Sequence, residues 1–245
     1  MKKLFAVVFI LCLHFSSYGG NITPEIDDSK YIEYGKGFKS VVYIGIKRED
    51  ASGFGSGVVL SERWVLTAAH VVNNAKSAFV KVEDKIYKVE QIFIHKDYIE
   101  DNVGLYDIAL CKTLEEIKLP SYPKLYEENN EKDKSCSISG YGMTGNLKDG
   151  AIKFDKKKRA GTNEIDEIYK HLLVCDASMG NPTDLEFLIC SGDSGGGLFI
   201  GEKVAGINSI VMAEDQKPDS DYGDESGHTR VSVFRDWIEG IVDKY

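Results

Sequence analysis

A chain of 245 residues with 42% hydrophobic and 28% charged residues and only 5 prolines argues against intrinsic disorder and suits one compact unit, or two small ones sharing an interface. A net charge of -9 argues against nucleic acid as a partner, because phosphate binding needs clustered positive charge.

The chain opens with Met1-Lys2-Lys3, an apolar run from Leu4 to Phe15, then small or polar residues from Ser16 to Gly20. This is the layout of a secretory signal peptide (residues 1–20), cut after Gly19 or Gly20. Its apolar run is too short for a stable anchor, and no later stretch is long or apolar enough to span a bilayer. The expectation is a secreted or periplasmic protein with no membrane partner once the signal is removed. Cys12 follows Phe9-Ile10-Leu11 rather than a small residue, which argues against lipid anchoring. Removing Cys12 leaves Cys111, Cys136, Cys175 and Cys190, so one or two disulfide bonds are expected, with three full pairings open.

Short strand-like runs separated by turn residues dominate the rest. In the first half they cover 40–46, 56–60, 64–68, 79–82, 87–93 and 108–113. The polar stretch 127–134 has no core-forming residue and reads as the linker between halves. The second half offers strands over 135–140, 151–154, 171–174, 196–200, 203–209 and 228–231. Within it, the basic run Lys156-Lys157-Lys158-Arg159 reads as a solvated loop, since acidic residues follow closely. The acidic stretch 213–227 is another exposed loop. Its carboxylates offer oxygen ligands for calcium, but their spacing matches no ordered calcium loop. No metal and no cofactor is expected, since no His/Cys cluster has zinc spacing. From Ser232 to Tyr245 apolar residues recur at helical spacing, with Ser232 able to cap the first turn. Many short strands without alternating long helices point to an all-β fold of antiparallel sandwiches or barrels, closed by a C-terminal helix.

Three stretches carry chemistry. In Gly192-Asp193-Ser194-Gly195-Gly196 a serine sits in a glycine-rich turn. A serine hydroxyl needs a neighbouring base to act as a nucleophile, and Gly192 can present its N–H, with that of Ser194, to a developing oxyanion. In Trp64-Val65-Leu66-Thr67-Ala68-Ala69-His70 an apolar strand ends in a histidine. In Tyr106-Asp107-Ile108-Ala109-Leu110 a carboxylate begins an apolar strand, where it is costly unless paired. Accepting the His70 Nδ1–H satisfies Asp107 and leaves Nε2 free to take the Ser194 proton. His95 and His171 read as structural.

These stretches, in the order His, Asp, Ser, resemble the trypsin/chymotrypsin family of serine peptidases. The likeness extends to Gly55-Ser56-Gly57-Val58-Val59-Leu60, to Gly140-Tyr141-Gly142 and to Gly206-Ile207-Asn208-Ser209, from about Ile32 to the final helix. It implies two antiparallel six-stranded β-barrels with the active site between them: a first barrel over about 32–126, a second over about 134–231, and a helix over about 232–245. By the same resemblance the catalytic residues are His70, Asp107 and Ser194, the oxyanion hole is Gly192 and Ser194, and Ser209-Ile210-Val211 is the edge strand that pairs with substrate. The chain is then a monomeric serine endopeptidase acting on proteins or peptides.

Several positions depart from the family pattern. Leu188 stands where trypsin-like members carry an acid at the pocket base, which does not support cleavage after Lys or Arg. Val211 replaces a common pocket-wall glycine and favours small or medium apolar side chains. His228 approaches the pocket base by position and competes as an attractor of acidic side chains. The usual partners of the family-placed cysteines are absent, leaving Cys175 with Cys190 as the best pair. Residues 21–31 fit a propeptide, released after Tyr31 or Lys30 so that the Ile32 amine pairs with Asp193, as in family zymogens. A catalytically silent binding protein on the same fold is the chief alternative. An esterase on an α/β sheet fails because Gly192-Asp193-Ser194-Gly195-Gly196 follows β-rich sequence and the triad order differs.

Overall fold

The computed structural model describes residues 20–100 and 104–245, so all of the signal-peptide reading except Gly20 lies outside the described residues. The first half runs β1 (Gly20–Ile22), α1 (Asp28–Gly35), β2 (Val41–Lys47), β3 (Ser52–Ser61), β4 (Trp64–Thr67), α2 (Ala69–Val72), β5 (Ser77–Val82), β6 (Lys85–Ile94) and β7 (Ala109–Thr113). The second half runs β8 (Lys124–Leu125), β9 (Ser135–Gly140), β10 (Thr144–Asn146), β11 (Gly150–Lys153), β12 (Arg159–Glu164) and β13 (Glu167–Tyr169). It continues with β14 (Leu172–Asp176), β15 (Phe187–Leu188), β16 (Gly197–Ile200), β17 (Lys203–Ala213), β18 (Asp224–Arg230) and α3 (Val231–Val242).

Strands β2-β3-β4-β7-β6-β5 close into a barrel through antiparallel ladders. Ile44, Val58, Val65, Leu66, Val80 and Leu110 are fully buried. Each such side chain is worth about 1.5–3 kcal/mol, against about 0–1 kcal/mol for an exposed ion pair such as Lys76–Glu49, so apolar closure sets this half.

The second half is organised differently. Its main sheet has the order β12-β9-β16-β17-β18-β14-β13, with β8 beside β17, and a four-stranded sheet has the order β11-β10-β1-β15. Strand β1 comes from the other end of the chain, pairing parallel with β10 and antiparallel with β15. Residues 21–31, expected as a propeptide, are thus built into this half. Asn21 and Tyr31 are fully buried, and the Tyr31 hydroxyl donates to the Glu186 carbonyl at 3.3 Å.

Two charged segments also depart from expectation. Arg159 is 2% exposed and forks onto Asp28 (2.6 and 2.7 Å) and Asp155 (2.9 and 2.8 Å), while the Lys158 ammonium donates to the carbonyls of Phe38 and Val41. In the linker stretch, Glu131 is fully buried against Arg230 (2.9 and 2.8 Å) and Ser232 (2.7 Å). A charge is cheap to bury only when its partner is in place; Asp155 is four residues from Arg159, but Asp28 lies 131 residues from Arg159 and Glu131 lies 99 from Arg230. Ser232 therefore spends its hydroxyl on Glu131, and α3 begins after Arg230 without a side-chain cap.

The cysteine pairing is corrected as well. Cys111, Cys136, Cys175 and Cys190 are all buried and unbridged, and Cys175 lies beside Cys136, with the sulfurs 4.0 Å apart, rather than beside Cys190. Cys175 on β14 and Cys136 on β9 point into one core cluster. The Cys190 backbone instead donates to Asp193. Among the described residues no helix is long and apolar enough to cross a membrane.

Candidate active site

Strand β4 ends at Thr67, and His70 follows in the single turn of α2. Arg48 fixes that turn by donating to the carbonyls of His70, Val71 and Asn73 at 3.1 Å each. The His70 side chain is 29% exposed, and its Nδ1 lies 2.7 Å from Asp107 Oδ2. Asp107 is fully buried, so its charge must be met by donors. Oδ1 accepts the His70 backbone N–H at 2.9 Å, and Oδ2 also accepts the Ser209 hydroxyl at 2.6 Å. The Thr229 hydroxyl donates to the Asp107 carbonyl at 2.9 Å. Burial alone would raise the Asp107 carboxyl, but the His70 charge and the hydrogen bonds from His70 and Ser209 outweigh it and hold the pKa below the ordinary range. Burial pulls His70 down, yet the Asp107 charge and hydrogen bond win and raise it above its ordinary 6.5. Tyr106, just before Asp107, has φ +55 and is wedged between His95, His171 and Phe234, which gives both histidines a packing role.

Ser194 is half-buried in the turn between Gly192 (φ +93) and Gly195 (φ +84). A Cβ on Gly195 would lie 2.1 Å from Thr67 Oγ1 and 2.2 Å from the Ser56 carbonyl, so the turn packs tightly on the strand end that leads to His70. Among the described residues, Asp107 is the one hydrogen-bond partner of the His70 ring. The N–H groups of Asp193, Gly195 and Gly196 go to the carbonyls of Cys190, Asn208 and Asp193, whereas none of the turn's own carbonyls takes those of Gly192 and Ser194.

Ser56 organises this turn and was not foreseen. It is fully buried; its hydroxyl donates to the Gly192 carbonyl at 2.9 Å and accepts the Tyr141 N–H at 2.9 Å. Its backbone N–H donates to the Ser194 carbonyl at 2.8 Å, and its carbonyl accepts the Thr67 hydroxyl at 2.8 Å. Ser56 therefore ties the glycine turn to the strand before His70 and anchors the Gly192–Asp193 peptide, which directly follows the peptide that carries the Gly192 N–H. In the sequence it reads as one more strand residue.

Ile32 and Asp193 are not brought together. Ile32 lies within α1, whereas Asp193 is 1% exposed and held by the N–H groups of Gly142 (2.8 Å), Cys190 (3.1 Å) and Gly20. Burial raises its pKa to about 7 against these hydrogen bonds.

Of the pocket residues, Leu188 is fully buried on β15 opposite Asn21, and Ile210 and Val211 are half-buried on β17. Beyond Ile207, the ladders of β17 are with β18 alone among the described residues, leaving its other edge open beside Ser209. His228 does not serve as an acid attractor. It is fully buried with Nδ1 2.9 Å from Asn208 Oδ1, and burial pushes its pKa down to about 3, so it is neutral. The acidic loop is only partly exposed: Ser220 and Asp224 are buried. The carboxylates of Asp219, Asp221 and Asp224 come within 4.8 Å of one another and could hold a cation.

The family model described as Trypsin matches residues 36–238. The chain belongs to the trypsin family. Curated relatives of this trypsin-family chain include a trypsin of Simulium vittatum, 30% identical over 62% of this chain and 68% of the relative. A chymotrypsin-like elastase family member 1 of Macaca fascicularis is 28% identical over 76% and 77%, and a chymase of Rattus norvegicus is 27% identical over 76% and 78%. Among solved structures it resembles HL collagenase, with TM-score 0.70 and 21% identity over 85% of this chain and 95% of that one. Mouse-brain neuropsin follows with TM-score 0.65 and 21% identity over 82% and 94%. The fold is the chymotrypsin-like double barrel of this family, with the first barrel closed and the second split between two sheets.

Proposed function

We propose that this trypsin-family chain is an exported, monomeric serine endopeptidase that hydrolyses peptide bonds through an acyl-enzyme on Ser194. The observation that carries the reading is the buried Asp107 carboxylate, which receives His70 through ring and backbone together with the Ser209 hydroxyl, while the glycine turn of Ser194 packs on the strand end that leads to His70. With Nδ1–H given to Asp107, His70 Nε2 is the acceptor and takes the Ser194 proton as Oγ bonds to the substrate carbonyl carbon. The N–H groups of Gly192 and Ser194 hold the oxyanion. The C–N bond then breaks as His70 returns the proton to the leaving amine, and water repeats the sequence on the acyl-enzyme. Substrate backbone adds to the open edge of β17 at Ser209, Ile210 and Val211.

The pocket favours small or medium apolar side chains. Leu188 brings no carboxylate for Lys or Arg, and a neutral His228 brings no cation for Asp or Glu. Cleavage of a peptide library by the exported protein tests activity and preference together. The expected result is cleavage after apolar residues, abolished in Ser194→Ala. Cleavage confined to sites after Lys or Arg contradicts the pocket assignment, and cleavage that survives in Ser194→Ala contradicts the mechanism.

A further inference from the structure

We propose that the buried Asn208–His228 pair is a positioning pair: it fixes the Asp193–Ser194 peptide so that the Ser194 N–H faces the oxyanion. The proposal rests on the peptidase reading of Ser194 and names what aims one of its two donors.

Both are polar side chains that the fold buries completely, Asn208 on β17 and His228 opposite it on β18. Such groups are costly unless bonded, and these two bond each other. The Asn208 amide nitrogen donates to the carbonyls of Ser139 and Asp193 at 3.1 Å each, so Oδ1 is the atom that faces His228, 2.9 Å from its Nδ1. That oxygen can only accept, and His228 therefore holds its proton on Nδ1. Nε2 is left as a buried, bare nitrogen with no partner among the described residues. A proton there would bury a charge with no acceptor, and burial alone pushes the His228 pKa down to about 3. His228 is thus a fixed donor that holds the Asn208 amide in one orientation.

The amide in turn acts on the glycine turn, which Asn208 brackets with three groups. Its carbonyl accepts the Gly195 N–H at 2.8 Å, and its N–H donates to the Gly196 carbonyl at 2.9 Å. Its amide reaches the Asp193 carbonyl, which the Gly196 N–H also meets at 2.8 Å. A Cβ on Gly196 would lie 2.8 Å from the Asn208 amide nitrogen, so the turn passes directly over it. The Asp193 carbonyl and the Ser194 N–H belong to one planar trans peptide and point in opposite directions. Drawing the oxygen onto buried Asn208 therefore turns the Ser194 N–H away from the interior, and none of the turn's own carbonyls takes it.

The next residue of β17 serves the other arm of the site. The ladder with β18 shifts register between Asn208 and Ile210, and Ser209 donates its hydroxyl to Asp107. Adjacent residues of one strand thus support the oxyanion donor and the orienting acid.

The test joins the kinetics of three variants to the NMR of His228 in the wild type. Asn208→Leu removes the amide, His228→Leu removes the donor behind it, and His228→Asn keeps a nitrogen donor at the Nδ1 position. With rates counted per site titrated by a fluorophosphonate, Asn208→Leu is expected to lower kcat about ten- to a hundredfold with KM within about threefold. A peptide boronate inhibitor should weaken in parallel with kcat/KM. His228→Leu is expected to lose about tenfold and His228→Asn less than about threefold, each with the pH midpoint of kcat/KM unmoved because His70 and Asp107 are untouched. Loosened folding would instead lower the number of titrated sites and leave kcat per site intact. In the wild type, nitrogen-15 spectra are expected to show His228 neutral and protonated at Nδ1 from about pH 5 to about pH 9. Undiminished kcat per site in Asn208→Leu, equal losses in the two His228 variants, or a His228 that titrates in that range or carries its proton on Nε2 overturns the proposal. If the wild type cleaves no peptide while His228 shows the Nδ1–H form, the pairing holds and the Ser194 reading falls, taking the positioning role with it.

Discussion

The two halves of the molecule are held by different forces. The first barrel closes on aliphatic side chains, and its strands follow one another with near neighbours along the chain. The second half is assembled across the sequence: β1 inserts between β10 and β15, Asp28 meets Arg159, and Glu131 meets Arg230. The difference separates the site's components. His70 and Asp107, the proposed base and its orienting acid, stand on the apolar barrel, while Ser194 and Gly192, the proposed nucleophile and oxyanion donor, stand on a scaffold of buried polar contacts that is complete only with the N-terminal segment in place.

Asp107→Asn attacks the first half of that division. It should leave the barrel folded and lower kcat/KM by about 10⁴-fold, since the amide disturbs the His70 tautomer; circular dichroism with steady-state kinetics checks both. Glu131→Ala attacks the second half. It strands Arg230 next to α3 and should cost about 3–5 kcal/mol, seen as a Tm lower by about 10 °C, with the first barrel's core untouched.

Ser56→Gly probes the seam between the halves. Loss of the hydroxyl frees the Gly192 carbonyl, and kcat should fall by about ten- to a hundredfold with KM little changed, because the oxyanion contact matters most in the transition state. The smallest effect is a pH limb. Neutral His70 is the active form and its pKa is raised by Asp107, so kcat/KM should climb with pH through a midpoint above 6.5. In Asp107→Asn that midpoint should move down.

The same division explains what was legible in the sequence. Short strand-like runs between turn residues mark the six barrel strands, and the run over 135–140 coincides with β9. The likeness around His70, Asp107 and Ser194 pointed to the candidate site because each lies in a local motif. What local pattern cannot carry is a partner across the chain. Three-residue β1 shows no alternation, and the Ser209 hydroxyl meets Asp107 from 102 positions away. Arg159 and Glu131 looked solvated because unpaired charges belong in water. His228 was placed near the pocket, but its neutrality follows from burial against Asn208, which only the fold creates.

The central claim, that Ser194 is a nucleophile activated by His70, is tested most directly by reacting the exported protein with a fluorophosphonate and locating the adduct by mass spectrometry. The account predicts one adduct, on Ser194, absent from Ser194→Ala and strongly slowed in His70→Ala. An unmodified folded protein, or labelling undiminished in Ser194→Ala, would contradict it.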